Sequence, residues 1–324
     1  MEVDEVGEEL RRVLSEKKEA LESRYGIHIY IGYDELGDFL GGRKSLNPQI
    51  YKRCYEFWTY LIMLESMEGL IRPGESYFYR KPRWKRDLHQ RIYGSTFRGK
   101  SIWCEPYMPG YDPALILSQY DLSNEIRSLL EITQPTIHCI PDFIVFNEEY
   151  TRLYPFTQLT RMFVYYCPRC GGEVGGWNER CPSCGYSMLE RMRGSWGSQL
   201  RRFPERRNIE WLVECKEKGI TREDLSQFIW YILAYKVPSA LIFQGSLDSL
   251  DQRDILENLE ETLRTCVRQE ELENLGEEFR TRIKVLDNFR IGDNDTCLHK
   301  IREELTIDSD CTNSNFVKVK KVRR

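Results

Sequence analysis

Between residues 209 and 244 the chain reads strand, helix, strand, and this order restricts the fold more than any other stretch. IEWLVECK (209–216) alternates as a strand does. Leu225, Phe228, Ile229, Ile232 and Leu233 then recur at helical spacing over 222–235, and ALIFQ (240–244) is a second apolar strand. Two strands joined through a helix of this length lie parallel in one sheet. The expected class is therefore α/β, with a mixed central sheet flanked by helices. In the first strand Ile209, Trp211, Val213 and Cys215 should share one face, and Glu214 and Lys216 the other.

Other elements surround this unit. Residues 5–24 form a charged amphipathic helix with a thin stripe of Leu10, Val13, Leu14 and Leu21, followed by a short strand at 27–32. Residues 49–70 form a helix that is apolar on most sides, which suits the middle of a core. A strand begins at SIWCEPY (101–107), a helix covers 123–132 with Ser123 as its N-cap, and IHCIPDFIVF (137–146) reads as another strand. From 251 to about 305 the chain reads as charged helices, before the basic tail FVKVKKVRR. The organisation expected is an N-terminal helical region (1–48), a first core part (49–160), a cysteine-rich insertion (161–190), a second core part (191–250) and a helical C-terminal region (251–324).

With 41% apolar residues in 324, the chain has ample material for a core and is not of the disordered class. Its longest apolar run, Phe228 to Tyr235, is eight residues, whereas crossing a bilayer takes roughly 20. No membrane partner is expected. The start, MEVDEVGEELRR, is acidic and lacks the apolar centre of a secretory leader. Of eleven cysteines, four sit in two CxxC pairs and the other seven are scattered, most of them in apolar stretches. A reducing, cytoplasmic setting is the expectation.

The two pairs are Cys167-Pro-Arg-Cys170 and Cys181-Pro-Ser-Cys184, with ten residues between them and a glycine directly after each. A CPxCG turn is a tight knuckle whose glycine takes a positive φ and whose amides donate to thiolate sulfur. Four thiolates at this spacing close a tetrahedral Zn²⁺ site with no open position, a structural zinc ribbon. A redox dithiol is the competing reading, but one active pair needs no matching second.

The chemistry lies elsewhere. Pro141-Asp142 heads one strand, and Glu214-Cys215-Lys216 ends another. An acid and a lysine at the end of an apolar strand are costly unless paired or used. If the two strands are neighbours, two carboxylates and an ammonium meet at one sheet edge. Such an oxygen-rich site suits Mg²⁺ or Mn²⁺.

This PD…ExK pattern, followed by an amphipathic helix carrying Gln227 and then a strand, resembles the PD-(D/E)XK nuclease superfamily, the fold of restriction endonucleases and Holliday-junction resolvases. The resemblance covers roughly 49–146 and 205–245, with the cysteine-rich insertion between the catalytic strands. It implies a restriction-endonuclease-like core and a Mg-dependent endonuclease acting on DNA. Asp142 and Glu214 would be metal ligands and Lys216 the catalytic lysine, with Gln227 as the polar residue of the following helix. The 71 residues between Asp142 and Glu214 exceed the usual family spacing, and the insertion accounts for most of them. The superfamily often adds an acid from its first core helix. Here Glu56, in a YExW context similar to that of modified-cytosine restriction subunits, and Glu125 are the two candidates, with Glu56 favoured.

Two basic stretches suit phosphate tracking. Residues 77–100 carry eight Lys/Arg against one Asp, with Tyr77, Phe78, Tyr79, Trp84, Tyr93 and Phe97 interleaved; Arg80, Lys81, Arg83, Lys85 and Arg86 are its densest part. Residues 191–207 carry six Arg against one Glu, including Arg201 and Arg202. DNA is the expected partner, with RNA left open, and a net charge of −4 hides this local asymmetry. No Walker loop, GxGxxG or HExxH occurs, so an ATP-driven role would need a partner ATPase chain. One active site cuts one strand, so double-strand cleavage implies a homodimer or two events. The alternatives are a non-catalytic zinc-ribbon nucleic-acid-binding protein on a degenerate nuclease fold, and a protein–protein adaptor using the C-terminal helices.

Overall fold

The computed structural model describes residues 3–32, 34–79, 95–105, 117, 122–133, 140–147, 149, 164–166, 169–170, 173–175, 181, 183–186, 209–235, 237–246, 255, 258 and 283–305. In chain order the elements are α1 (Val3–Tyr25), β1 (His28–Ile31), α2 (Asp34–Leu40), α3 (Pro48–Ser66), β2 (Ser76–Tyr79), β3 (Ser95–Thr96), β4 (Ser101–Cys104), α4 (Asn124–Leu130), β5 (Phe143–Phe146), β6 (Val164–Tyr166), β7 (Glu173–Gly175), β8 (Ile209–Lys216), α5 (Arg222–Tyr235), β9 (Ser239–Phe243), β10 (Ile283–Leu286) and α6 (Asn294–Glu304).

The centre is a six-stranded mixed sheet in the order β10-β9-β8-β5-β4-β3. Strand β8 runs parallel to β9, as the strand–helix–strand reading requires, and β9 parallel to β10. On the other side β5 is antiparallel to β8, and β4 to β5. Helices cover both faces. Phe143, Val145, Val213 and Cys215 join a core with α1, α3 and α6, while Ile144, Leu212 and Leu241 pack against α4 and α5. The fold is thus α/β with helices on both sides of a mixed sheet. Among the described residues no helix is long and apolar enough to cross a membrane.

Local chemistry sets the helix starts. Asn47 caps α3, its side chain accepting from the Ile50 amide at 2.8 Å, and Pro48 follows at the first helical position. Ser123 caps α4 in the same way, as expected. The apolar helix α3 is central, with buried residues on nearly every side. Lys17 of α1 bridges Glu65 of α3 and Asn294 of α6, and the Trp211 indole donates to the Leu305 carbonyl at 2.6 Å, so the N- and C-terminal helices share one core with the sheet.

Three features differ from the sequence reading. The C-terminal region is not all helical: β10 extends the sheet, because IKVL at 283–286 is a short β-branched run hidden among charged residues. Strands β1 and β2 pair in parallel as a separate ribbon, so the start of the basic stretch is a strand. Ile209 does not share the face of Trp211. The β5–β8 register shifts so that Phe146 faces Ile209 while Val145 faces Trp211, and the bulged Glu210 turns Ile209 to the α4–α5 side.

Candidate active site

Strand pairing brings the two distant acids together. Phe143 is opposite Val213 in the antiparallel β5–β8 pair, and one further step of that register sets Asp142 opposite Glu214. Both lie at the sheet edge formed by the carboxyl ends of β4, β8 and β9, the end at which α/β sheets generally bind ligands. The backbone fixes Asp142 twice. Its carbonyl accepts from the Glu105 amide at 2.8 Å, and its Oδ2 accepts from the Cys215 amide at 2.7 Å. Glu105, just past β4, has φ +44°, a left-handed conformation uncommon for a non-glycine residue and often found near functional sites. Gly219 and Gly245, in the loops after β8 and β9, approach so closely that a Cβ on Gly245 would lie 3.0 Å from the Gly219 Cα.

Asp142 and Glu214 are buried, at 7% and 3% exposure. Burial raises the Asp142 carboxyl well above the usual carboxylate range, and the charges of Glu214 and then Glu56 push it further. Burial raises Glu214 too, although Lys216 and Lys52 oppose the shift. Lys216 lies 3.1 Å from Glu214 Oε1, 2.9 Å from Asp224 Oδ1 and 3.4 Å from Gln227 Oε1. Burial alone would discharge the lysine, but Glu214 and Asp224 hold it charged, above the ordinary lysine value. Gln227 is itself braced, its amide donating to the Tyr231 hydroxyl at 2.6 Å.

Of the two helix acids, Glu56 is the buried one, and its charge acts on both Asp142 and Glu214. It is held by Arg53 (2.8 Å to Oε2), by the Tyr79 hydroxyl (3.3 Å) and by a looser pair with Lys52 at 3.8 Å. Arg53 also reaches Glu105 at 2.9 Å. Glu125 is exposed in the first turn of α4, which packs on the α5 side of the sheet.

The donors suit a hard divalent cation. Two buried carboxylates face each other, and Glu214 Oε2 is buried with no hydrogen-bond partner among the described residues, an arrangement whose desolvation cost an oxygen-seeking ion would offset. A second cluster lies apart in sequence. The sulfurs of Cys170, Cys181 and Cys184 lie within 4.8 Å of one another, close enough to share one ion. Strands β6 and β7 pair as an antiparallel hairpin. Gly185 has φ +68° and donates to the Cys181 carbonyl at 2.8 Å, as a CPxCG knuckle requires.

No protein-family model, curated protein or solved structure matches this chain. The functional reading therefore rests on the geometry of the site.

That geometry gathers Asp142, Glu214, Lys216, Gln227 and Glu56 at one end of the sheet. Cys167 and the basic residues Arg80, Lys81, Arg83, Lys85, Arg86, Arg201 and Arg202 lie outside the described residues. Three aromatics of the basic stretch, Tyr77, Tyr79 and Phe97, are fully buried and pack the core, so they do not offer a stacking surface. Four further site residues are Lys52, Arg53, Asp224 and Glu105. Lys52 and Arg53 precede Glu56 by four and three positions on α3, a helical pairing signal that the sequence carries. Asp224 stands in a T-x-x-D start to α5. Glu105 carried no signal, since only the β4–β5 pairing brings it to Asp142.

Proposed function

We propose that this protein is a metal-dependent nuclease hydrolysing DNA phosphodiester bonds on a restriction-endonuclease-like core of the PD-(D/E)XK kind. The observation that carries the reading is the pair of buried carboxylates facing each other across neighbouring strands, beside a charged lysine and with one Glu214 oxygen lacking a hydrogen-bond partner among the described residues. Asp142 and Glu214 would hold Mg²⁺ or Mn²⁺. Such an ion, when bound, lowers the pKa of its water and offsets charge building on the phosphate. The chain's own contribution is positioning and charge. The Cys215 amide aims the Asp142 carboxylate, Glu214 keeps Lys216 at the site, and the Lys216 ammonium stabilises negative charge on the phosphate oxygens in the transition state. Glu56 adds to the negative field, and Gln227 steadies the lysine. The cysteine cluster, completed by Cys167, would hold structural Zn²⁺ in a ribbon that, with the two basic stretches, positions DNA.

Incubating supercoiled plasmid with the purified chain plus Mg²⁺ or Mn²⁺ should give nicked or linear product, and EDTA should stop it. Metal-independent binding without nicking would instead favour a non-catalytic DNA-binding protein on the same core. The engagement of Glu56 by Arg53 is the feature on that side of the balance.

Lys52 offers a narrower test. Its side chain is 41% exposed beside the buried acids, and its ion pair with Glu56 is long, at 3.8 Å. Among the described residues it is a cation placed to meet an incoming phosphate. Lys52→Ala should raise KM severalfold with a smaller effect on kcat. It should also reduce the slope of log affinity against log salt by about one unit. An unchanged salt slope would remove Lys52 from the substrate surface.

A further inference from the structure

Resting on the nuclease reading, we infer that Asp224 is a positioning residue, which uses the cap of α5 to fix the Lys216 ammonium beside the paired acids. Thr221 is the N-cap of α5 and Asp224 its third residue. The Asp224 amide donates to Thr221 Oγ1 at 3.1 Å, while Asp224 Oδ2 accepts from the Thr221 amide at 3.1 Å and from its hydroxyl at 2.7 Å. This reciprocal box immobilises one carboxylate oxygen. The other, Oδ1, is left pointing at Lys216 Nζ, 2.9 Å away.

The lysine is thereby clamped from two elements. Glu214 holds it from its own strand at 3.1 Å, and Asp224 from the following helix, with Gln227 one turn further along at 3.4 Å. A lysine is a flexible stem with a point charge, and Glu214 alone would not fix its direction. The helix start supplies the second anchor, so the geometry of a cap is transmitted to the reacting end of the sheet. Asp224 need not touch substrate to act in this way.

Two variants separate positioning from capping. Asp224→Asn keeps an oxygen for the Thr221 donors but presents a neutral amide to Lys216. Thr221→Ala weakens the box and leaves the Asp224 charge in place. Asp224→Asn should lower kcat about tenfold to a hundredfold with KM nearly unchanged and a melting-temperature loss smaller than that of Lys216→Ala, since Glu214 still pairs the lysine. Thr221→Ala should lower the melting temperature and, by loosening the Asp224 carboxylate while keeping its charge, lower kcat by clearly less than Asp224→Asn does. Asp224→Glu, which restores the charge, should recover part of the loss. The Lys216 ammonium, followed by ¹⁵N NMR of the full chain, should exchange slowly with water in the wild type and fast in Asp224→Asn. An active wild type with an equally active Asp224→Asn would overturn the inference and leave the nuclease reading intact. So would activity losses that merely follow stability in both variants. If the wild type cuts nothing, the nuclease reading falls, and the ammonium signal still decides: an unaltered signal in Asp224→Asn overturns the positioning role, and its loss upholds it.

Discussion

Replacing Asp142 by Asn should make the metal-free protein more heat-stable and at the same time abolish the DNA cleavage proposed for it. Asp142 is buried opposite Glu214, and its carboxyl sits well above the usual range because burial, Glu214 and Glu56 all oppose its charge. A carboxyl raised in the folded state binds its proton more tightly there than in the unfolded chain. Stability is therefore greatest below the unfolded carboxylate value, near pH 4, and is lost as pH rises through the raised folded value. Asparagine removes that charge and keeps an oxygen for the Cys215 amide. At neutral pH the variant should gain about 1–2 kcal/mol, roughly 2–4 °C in melting temperature, and this advantage should shrink as pH falls towards 4. Mg²⁺ or Mn²⁺ should raise the melting temperature of the wild type but not of the variant. Cleavage should drop by about a thousandfold or more. A variant that melts lower than the wild type at every pH, or one that still cuts, would show that Asp142 is an ordinary structural acid. Lys216→Ala makes the opposite contrast. It should also end cleavage, but at a cost of about 3 kcal/mol, because Glu214 and Asp224 lose their buried partner.

The second large effect concerns the cysteine cluster. One zinc per chain should be found by metal analysis, and Cys181→Ser should remove it. Cys181 is buried, its amide and carbonyl both serve the knuckle around Gly185, and its sulfur lies 3.5 Å from that of Cys170. Binding of a structural zinc is worth about 10–16 kcal/mol at neutral pH, and without it a short hairpin such as β6–β7 has too little core to persist. Chelation or the substitution should therefore melt this segment first, while the sheet retains its own transition. Purified protein with no bound zinc would end the ribbon reading.

The β8–α5–β9 unit is legible in the sequence because its periodicities are long and its apolar residues strong. Alternation puts Glu214 and Lys216 on the face away from Cys215, and the bulge at Glu210, lying upstream, leaves that placement intact. Ile209 lies on the far side of that bulge, where alternation gives the wrong face: a strand that gains one residue reverses every side chain beyond it, and no sequence pattern announces the gain. Strand β10 is hidden because four residues at an edge carry too little pattern against a charged background. The convergence of Asp142 with Glu214 was only a condition in the sequence, since pairing between strands so distant in the chain is a tertiary fact. Glu105 and Arg53 belong to that same tertiary layer.

The chain between the antiparallel neighbours β5 and β8 leaves after Phe146 and returns at Ile209, which face each other at the end of the sheet away from the acids. In chain order, 147–208 is one insertion between two paired strands. An insertion at that point can lengthen or contract without altering how Asp142 meets Glu214. The acid-bearing end of the sheet and the inserted stretch are therefore free to diverge at different rates, so that a lineage can vary one while the other stays fixed.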